Sequence, residues 1–272
     1  MILLDALQKL PLSQMFLATL AIGLTICFAI FLLSRLFVSL SVRLHGIEPE
    51  NPLALRESII SAVSAMFALL LAFSAAGIWN DRLQAANTVE REAEALENVR
   101  VLAGGLPADL ADRLRRGIVR YANQVVDRDW PAMAAKVPSG DPVYEASDAM
   151  LVDLMDLLAR EQARISALAV TAPLLGQLVE ARAARLARVG YANSGVSPAQ
   201  WFAMIVLASG TLVAIAVCHT HHKWMQLLGM LLYSLAAAAA IFVILAHDRP
   251  FVGVISVSPA PLAQLAKSAN SE

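Results

Sequence analysis

The sequence predicts an all-α membrane protein in which two pairs of transmembrane helices flank a water-facing helical bundle. Four apolar runs are each long enough to cross a hydrocarbon layer of about 30 Å, and two lie at each end of the chain. The 272 residues are 58% hydrophobic and only 16% charged, which is more apolar than an ordinary water-soluble domain. Between the two pairs, mixed charges and apolar residues spaced three and four apart are typical of bundled helices.

The four apolar runs predict spans at residues 15–38, 59–79, 201–218 and 224–246. They divide the chain into a first transmembrane pair (1–80), a central helical domain (81–197), a transmembrane hairpin (198–247) and a tail (248–272). No small-x-small cleavage site follows the first run, so we expect the first span to stay in the mature protein. Residues 2–10 predict either an amphipathic helix along the lipid headgroups or an extension of the first span.

The flanks of the spans predict the orientation of the chain. Lys and Arg are more frequent on the side that holds the central domain, at Lys9, Arg82, Arg91, Arg182, Arg185, Arg188 and Arg249, than on the other side, at Arg43, Arg56 and Lys223. Because cytoplasmic flanks carry the positive excess, we expect a multi-pass inner-membrane protein whose central domain and termini are cytoplasmic. Cys27 and Cys218 fall inside apolar runs, where cysteine acts as a small apolar residue, so no disulfide is expected.

The central domain is predicted to be all helix, because its apolar residues recur three and four apart without strand alternation. Nothing between residues 79 and 101 breaks a helix, so the first helix of the domain is expected to continue the second span. The next helix carries a stripe formed by Leu110, Leu114, Ile118, Tyr121 and Val125. A further helix begins at Asp141 and is bent or ended by Pro173, while Ser197 and Pro198 predict the cap and first turn of the third span.

The residues that commonly carry catalysis or metal binding are sparse. The acidic run at residues 90–97 could bind a cation, but solvated helix faces are the favoured interpretation. His219, His221 and His222 form the best metal-like cluster, and side chains lying at the membrane interface are again favoured. The sequence has no glycine-rich phosphate loop, nucleophile elbow, His-Glu-x-x-His motif or Cys-x-x-Cys pair, and no acidic residue inside a span. We therefore predict no enzymatic activity, no cofactor and no metal site, and the net charge of −1 predicts no nucleic-acid partner.

The second span carries one continuous stripe of small side chains. Its members follow steps of four and three and are Ser61, Ala65, Ala68, Ala72 and Ala75. One interpretation is structural, since small residues let helix backbones approach closely. The other is functional, because the same stripe gathered from several subunits around an axis would line a narrow, weakly polar pore. The residues alone leave both interpretations open.

Charged and aromatic residues cluster where the second and fourth spans end. The second span ends at Trp79 and is followed by Asn80, Asp81 and Arg82, and the fourth is followed by His247, Asp248 and Arg249. In the predicted topology these ends lie at one depth, so Asp81 could pair with Arg249 and Asp248 with Arg82. Ordinary anchoring at the membrane interface is the alternative.

Several segments together resemble the bestrophin-like family of bacterial membrane proteins, a domain of unknown function. They are residues 69–73 (Leu-Leu-Leu-Ala-Phe) with Trp79 and Arg82, residues 92–96 (Glu-Ala-Glu-Ala-Leu), Leu106 and Pro107 with Tyr121, and, after the last span, Asp248, Arg249, Pro250, Phe251 and Gly253 followed by residues 257–262. The resemblance runs from the second span to Leu262. It adds Pro250 and Phe251 to the residues expected to anchor the span ends.

The bestrophin-like family is in turn similar to the bestrophins, homopentameric and mostly anion-conducting channels with two spans on each side of a cytosolic helical region. This resemblance implies that the second span lines the pore. The dense acidic calcium clasp of animal bestrophins has no counterpart beyond Asp248, and their aromatic neck residues cannot be placed on Phe67 or Phe73. Calcium gating is therefore not implied, and the ion preference stays open.

The sequence therefore predicts a homo-oligomeric ion channel, a pentamer by analogy, whose partners are membrane lipid, further copies of the chain and small ions. The rival prediction is a non-conducting sensor or scaffold in which the spans anchor the chain and the helical domain binds a partner. A membrane enzyme would need a buried cluster of carboxylates or histidines that the sequence does not indicate.

Overall fold

A computed structural model describes residues 6–8, 10–45, 53–219, 222–253 and 255–268. Within these ranges the regular secondary structure is entirely helical. The α-helices, in chain order, are α1 (Leu12–His45), α2 (Leu53–Leu102), α3 (Ala108–Gln124), α4 (Trp130–Ala134), α5 (Pro142–Arg160), α6 (Gln162–Ile165), α7 (Thr171–Tyr191), α8 (Pro198–Cys218), α9 (Lys223–His247) and α10 (Ala260–Ser268). A 3-10 turn (Ala103–Gly105) precedes α3, and a π turn (Val125–Asp129) joins α3 to α4.

The chain forms two compact units. Unit 1 comprises Met1–Trp79 and Val196–Asp248, and unit 2 comprises Asn80–Gly195 and Arg249–Glu272. The tail therefore groups with the central residues, because α10 packs on α3 and buries Leu262 and Leu265.

Among the described residues four helices are long and apolar enough to cross a membrane, and unit 1 contains three of them together with the N-terminal part of α2. The apolar windows of these helices lie within Leu12–Leu40, Ser58–Gly105, Pro198–Cys218 and Lys223–His247, and each of these ranges contains one of the predicted spans. α1 packs along α9, where a Cβ added to Gly23 would lie 3.5 Å from the Cβ of Ala238. Phe16 and Phe242 meet edge to face in the same contact, with ring centroids 5.3 Å apart.

α2 is one unbroken helix, as the absence of a helix breaker predicts. It contains no proline over Leu53–Leu102, and the boundary between the two units falls within it. The predicted continuity between the second span and the first helix of the central domain is therefore confirmed.

Unit 2 has its core around α3. The predicted stripe of α3 and the following turn is fully buried, at Leu110, Leu114, Ile118, Tyr121 and Val125. The predicted start of α5 is confirmed, because the Asp141 carboxylate accepts a hydrogen bond from the backbone N–H of Val143 at 3.0 Å.

The predicted role of Pro173 is wrong. α5 already ends at Arg160, the short helix α6 follows, and Pro173 lies in the first turn of α7. The backbone N–H groups of a first helical turn have no partner within the helix, so the N–H that proline lacks is not missed there. Proline is therefore compatible with the start of α7, whereas in the interior of a helix it would bend or end it.

The predicted cap of the third span is confirmed. The Ser197 hydroxyl accepts from the Gln200 backbone N–H at 3.2 Å, and the Gln200 side-chain oxygen accepts from the Ser197 N–H at 2.9 Å. This reciprocal pair satisfies two of the donors that a helix start leaves open. Of the predicted N-terminal segment, residues 6–8 are helical and residue 10 is described, while the rest of it lies outside the described residues. Of the histidine cluster, His219 and His222 are described and His221 is not.

Candidate functional site

The small-residue stripe of α2 is not used for packing within the chain. Ser61, Ala65, Ala68 and Ala72 are exposed, and Ala75 is half-buried. The buried residues of the same span lie on another face and include Phe67, Ser74 and Ile78. α2 therefore packs in unit 1 through another face and leaves the strip from Ser61 to Ala72 uncovered, together with larger exposed side chains such as Phe73.

The ends of the second and fourth spans are joined by an aromatic contact. The ring of Trp79 stacks on that of His247, with centroids 5.5 Å apart and planes inclined by 30°. Asp248 is buried and accepts hydrogen bonds from the side-chain amide of Gln8 at 2.7 Å and from the Val196 N–H at 2.6 Å. These contacts connect the end of α9 with the N-terminal residues and with the start of α8.

The residues after Asp248 belong to unit 2. Phe251 is buried, and its ring meets that of Trp130 edge to face at 5.3 Å, while the Pro250 carbonyl accepts from the Val257 N–H at 2.7 Å. Asp81 and Arg82 are half-buried, and among the described residues no ion pair joins Asp81 to Arg249. The pairing of Asp248 with Arg82, which would join the two units, stays a prediction.

A buried ionic cluster in unit 2 was not predicted. Glu92 and Arg188 are both fully buried, and the Glu92 carboxylate accepts from Arg188 Nε at 2.7 Å and from Arg188 Nη2 at 3.1 Å. The Tyr121 hydroxyl donates to the same carboxylate at 2.6 Å. The guanidinium carbon also lies 5.7 Å from the ring centroid of Trp130. The interpretation of residues 90–97 as a solvated face is therefore wrong for Glu92.

Asp129 ends the π turn and extends this cluster. It is fully buried; its Oδ2 accepts from the Ser147 hydroxyl at 2.8 Å and lies 3.5 Å from Arg188 Nη2. Ser147 in turn accepts from Arg185 Nε at 3.0 Å. The Oδ1 atom of Asp129 has no hydrogen-bond partner among the described residues. π turns inserted in α-helices are frequent at functional positions because they redirect a side chain.

The charge states of the cluster follow from burial and pairing. Burial, with the nearby Glu92 charge, raises the pKa of Tyr121 well above its ordinary value, so Tyr121 is a neutral donor. Burial alone would lower the pKa of Arg188, but Glu92 and the other neighbours outweigh it and raise that pKa. Burial raises the pKa of Asp129, against the opposing effects of Arg188 and Ser147.

The helical register could have indicated these buried charges. On α7 the buried positions Leu174, Leu178 and Ala181 continue at the same spacing to Arg185 and Arg188. On α2 the buried positions Ala85, Val89, Leu96 and Val99 bracket Glu92 in the same way. If each apolar stripe is continued at its helical spacing through the charged residues, it predicts that Glu92, Arg185 and Arg188 are buried.

α7 also exposes an apolar stripe on its other side. Besides Pro173 in the first turn, the exposed residues of α7 are all apolar or glycine and are Ala172, Leu175, Gly176, Val179, Ala183, Leu186 and Gly190. Val179 and Leu186 are each 54% exposed. Contiguous exposed apolar surface on a unit outside the spans is typical of an interaction site.

No metal site emerges from the described part of the chain, where no three His, Cys, Asp or Glu side chains are grouped to hold an ion.

The fold is that of an all-helical integral membrane protein. Its four membrane-crossing helices form one pair early and one pair late in the sequence, and the residues between them form a second helical unit with a charged core. The match of residues 26–262 to the bestrophin-like domain identifies the family to which this chain belongs.

Solved structures share this fold. Three crystal structures of a bacterial bestrophin homolog from Klebsiella pneumoniae, one phased with zinc and two carrying single substitutions, superpose with TM-scores of 0.66, 0.67 and 0.68. They are 13–14% identical in sequence, and the alignments cover 92–94% of this chain and 97% of those chains. A comparison with curated protein sequences gives no match.

Proposed function

We propose that this protein is a homo-oligomeric channel that passes small ions through an axial pore lined by α2. The observation that carries the proposal is the exposure of Ser61, Ala65, Ala68 and Ala72 on a helix that packs in unit 1 through other residues. Their side chains are too small to fill space around an axis, so several copies of the strip would leave a narrow channel. The resemblance to bestrophins adds a preference for anions and a pentameric assembly by analogy.

A pore of this composition is gated by wetting. The methyl groups of Ala65, Ala68 and Ala72 offer no hydrogen bonds to water. A narrow constriction lined by them therefore loses its water when its radius decreases slightly and regains it when the radius increases. α2 continues unbroken to Leu102, so displacement of its distal half would change the radius of the pore. Transport rather than catalysis is the role that this surface supports.

Unit 2 supplies surfaces for assembly on the side of the membrane that the Lys and Arg bias assigns to the cytoplasm. The exposed stripe of α7 is apolar over its whole length, and a second copy of the chain would remove it from water. In this arrangement neighbouring copies of unit 2 contact one another through the α7 stripe.

The α7 stripe also favours a second candidate, a non-conducting scaffold. In that case the stripe binds another cytosolic protein and the spans serve as an anchor. The two candidates differ in whether the purified protein alone buries the stripe between its own copies, and in whether it conducts.

The test is ion flux into liposomes that contain the purified protein. We expect Ala68→Trp to abolish flux, because the indole would fill a pore formed by several copies of this position. The matched control is Met66→Trp, since Met66 is 61% exposed but lies two residues away, on nearly the opposite side of α2. Flux that survives Ala68→Trp would remove α2 from the pore, and absence of flux in the unaltered protein would favour the scaffold.

A further inference from the structure

An elongated cavity lies within unit 1 between α1, α8 and α9. Its wall includes residues of α8 from Trp201 to Leu212 and residues of α9 from Tyr233 to Leu245. At a rise of about 1.5 Å per residue, each of these stretches is about 16–18 Å long. The cavity volume is about 170 Å³, close to the roughly 150 Å³ of a compact cavity that holds one benzene molecule in another protein. The space is therefore narrow relative to its length and follows the helix axes.

The cavity lies in one half of the membrane. Trp201 is close to the start of α8 and Leu245 is close to the end of α9, so one end of the cavity lies near the membrane surface. Leu212 and Tyr233 line the other end, near the middle of their spans. A length of about 16–18 Å from that surface corresponds to one leaflet, since a whole hydrocarbon layer is about 30 Å thick.

The wall of the cavity presents almost only carbon. Thr19 lines the cavity, but its hydroxyl donates to the Phe16 carbonyl at 2.8 Å. Tyr233 and Ser234 also line it, and their hydroxyl oxygens are inaccessible from the cavity. Water needs two or more polar partners to be stable in such a space, and a void would leave the wall atoms without contacts. The wall therefore favours an apolar occupant.

The cavity opens towards the surrounding lipid. Ile22 of α1 and Ile205 of α8 belong to its wall and are both exposed. Beside them, Gly23 and Ala208 are half-buried, and their small size leaves space between the two helices. A flexible chain can therefore enter sideways from the bilayer.

We propose that one acyl chain of a bilayer lipid occupies this cavity, with its carboxyl end beside Trp201 and its methyl end beside Ile26 and Leu212. A linear chain from one leaflet matches the length, the depth and the apolar wall of the cavity, whereas a single ring would fill only part of its length. The hydrophobic effect does not drive this binding, because the chain leaves one apolar medium for another. The stabilisation comes from dispersion contacts with the wall, which an empty cavity would lose.

The test is photo-cross-linking of the full-length protein in lipid nanodiscs that contain a phosphatidylcholine with a diazirine on one acyl chain. Two probes are compared, one with the diazirine near the carboxyl end of the chain and one with it near the methyl end, and peptide mass spectrometry identifies the labelled residues. We expect the first probe to label Trp201 and Ile241 and the second to label Ile26 and Tyr233, although all four wall residues are buried or half-buried.

One variant and one control locate the chain. Ala208→Phe places a ring in the cavity and is expected to remove the labelling of the four wall residues. The control is Ala236→Phe, because Ala236 is an exposed alanine of α9 that does not line the cavity. Labelling of the exposed Val213 outside the cavity is expected to persist in both variants. Thermal unfolding of each variant separates loss of the site from loss of the fold.

Two results would overturn the proposal. One is labelling confined to exposed residues such as Phe202 and Val213, because the cavity would then be empty or covered by a second copy of the chain. The other is labelling of the wall residues that persists in a folded Ala208→Phe protein. The labelling pattern of the unaltered protein decides the matter even where the variant does not fold, and neither result depends on whether the protein conducts ions.

Discussion

Arg188 makes the contacts on which the interior of unit 2 depends. It is the largest fully buried side chain, and it contacts Glu92, Asp129 and the ring of Trp130. A buried ion pair of this kind adds little stability relative to well-packed apolar residues, because both charges have lost their hydration. We infer that the cluster contributes specificity, since the charges meet only when α2, the π turn and α7 pack together.

Replacing Arg188 tests this interpretation. We expect Arg188→Met to lower the free energy of unfolding by about 3–5 kcal/mol, because Glu92 would remain buried without its positive partner. Arg91→Met is the control, since Arg91 and Glu180 form an exposed ion pair and its loss should change stability by less than about 1 kcal/mol. Chemical denaturation in detergent, followed by circular dichroism, measures both. Equal effects of the two substitutions would contradict the burial of the Arg188 charge.

Asp129 predicts a pH dependence of stability. Because its pKa is raised in the folded protein, the contribution of this carboxyl is fully present below its unfolded pKa of about 4 and is lost as pH rises through the folded pKa. Asp129→Asn removes that loss. The stability of the variant relative to the unaltered protein should therefore increase as the pH rises above about 4, as measured by denaturation at several pH values.

Asp148 provides a control of opposite sign. Hydrogen bonds from Arg182, together with the charge of Arg185, lower the pKa of Asp148. Its stabilisation is present above the unfolded pKa and is lost as pH falls through the folded pKa. Asp148→Asn should therefore be most destabilising near neutral pH and progressively less so in acid. If the stability of both variants relative to the unaltered protein changed with pH in the same direction, the environments assigned to Asp129 and Asp148 would be ruled out.

At the scale of elements, the beginning of α8 depends on a local motif. Ser197 and Gln200 cap each other's backbone N–H groups, and Val196 just before them is bonded to Asp248. The motif therefore sets where the third span begins and where the chain leaves the preceding loop.

The capping pair predicts a coupling that a double-mutant cycle can measure. Ser197→Ala should cost about 1 kcal/mol of stability, because one N–H of the first turn loses its acceptor. Gln200→Ala should cost less, and the double variant should lose less than the sum of the two, since each side chain holds the other in place. Strict additivity, measured by thermal unfolding in detergent, would contradict the reciprocal cap.

Irregular elements are those that the sequence did not predict. The gap between α5 and α7 and the π turn before α4 have no strong local signal, because their residues are compatible with a continuous helix. Tertiary packing determines the conformation of these two segments. The π turn places Asp129 against Ser147 and Arg188, and the break after Arg160 allows Ile165 to be buried.

At the scale of the whole molecule, assembly depends on surfaces that one chain leaves uncovered. The α2 strip and the α7 stripe are both exposed and nearly free of charge. In the proposed oligomer the first faces the pore and the second faces a neighbouring copy.

A charge placed in the α7 stripe tests assembly. We expect Ala183→Glu to shift the purified protein towards smaller oligomers, because burying an unpaired carboxylate between copies is unfavourable. Ala149→Glu is the matched control, since Ala149 is also an exposed alanine on a helix of unit 2. Mass photometry in detergent measures the distribution. An unchanged distribution for Ala183→Glu would assign the stripe to another partner, as the scaffold candidate requires.

The sequence by itself determined the four membrane-crossing helices, the helical class of the central residues, the small-residue strip of α2 and the cap at Ser197. Each of these depends on the length of an apolar run or on helical spacing, which are local properties of the chain. Only the tertiary structure decided that Glu92, Asp129 and Arg188 are buried together and that the α2 strip and the α7 stripe are exposed. Burial depends on which distant segments cover a residue, and the spacing along one helix does not specify them.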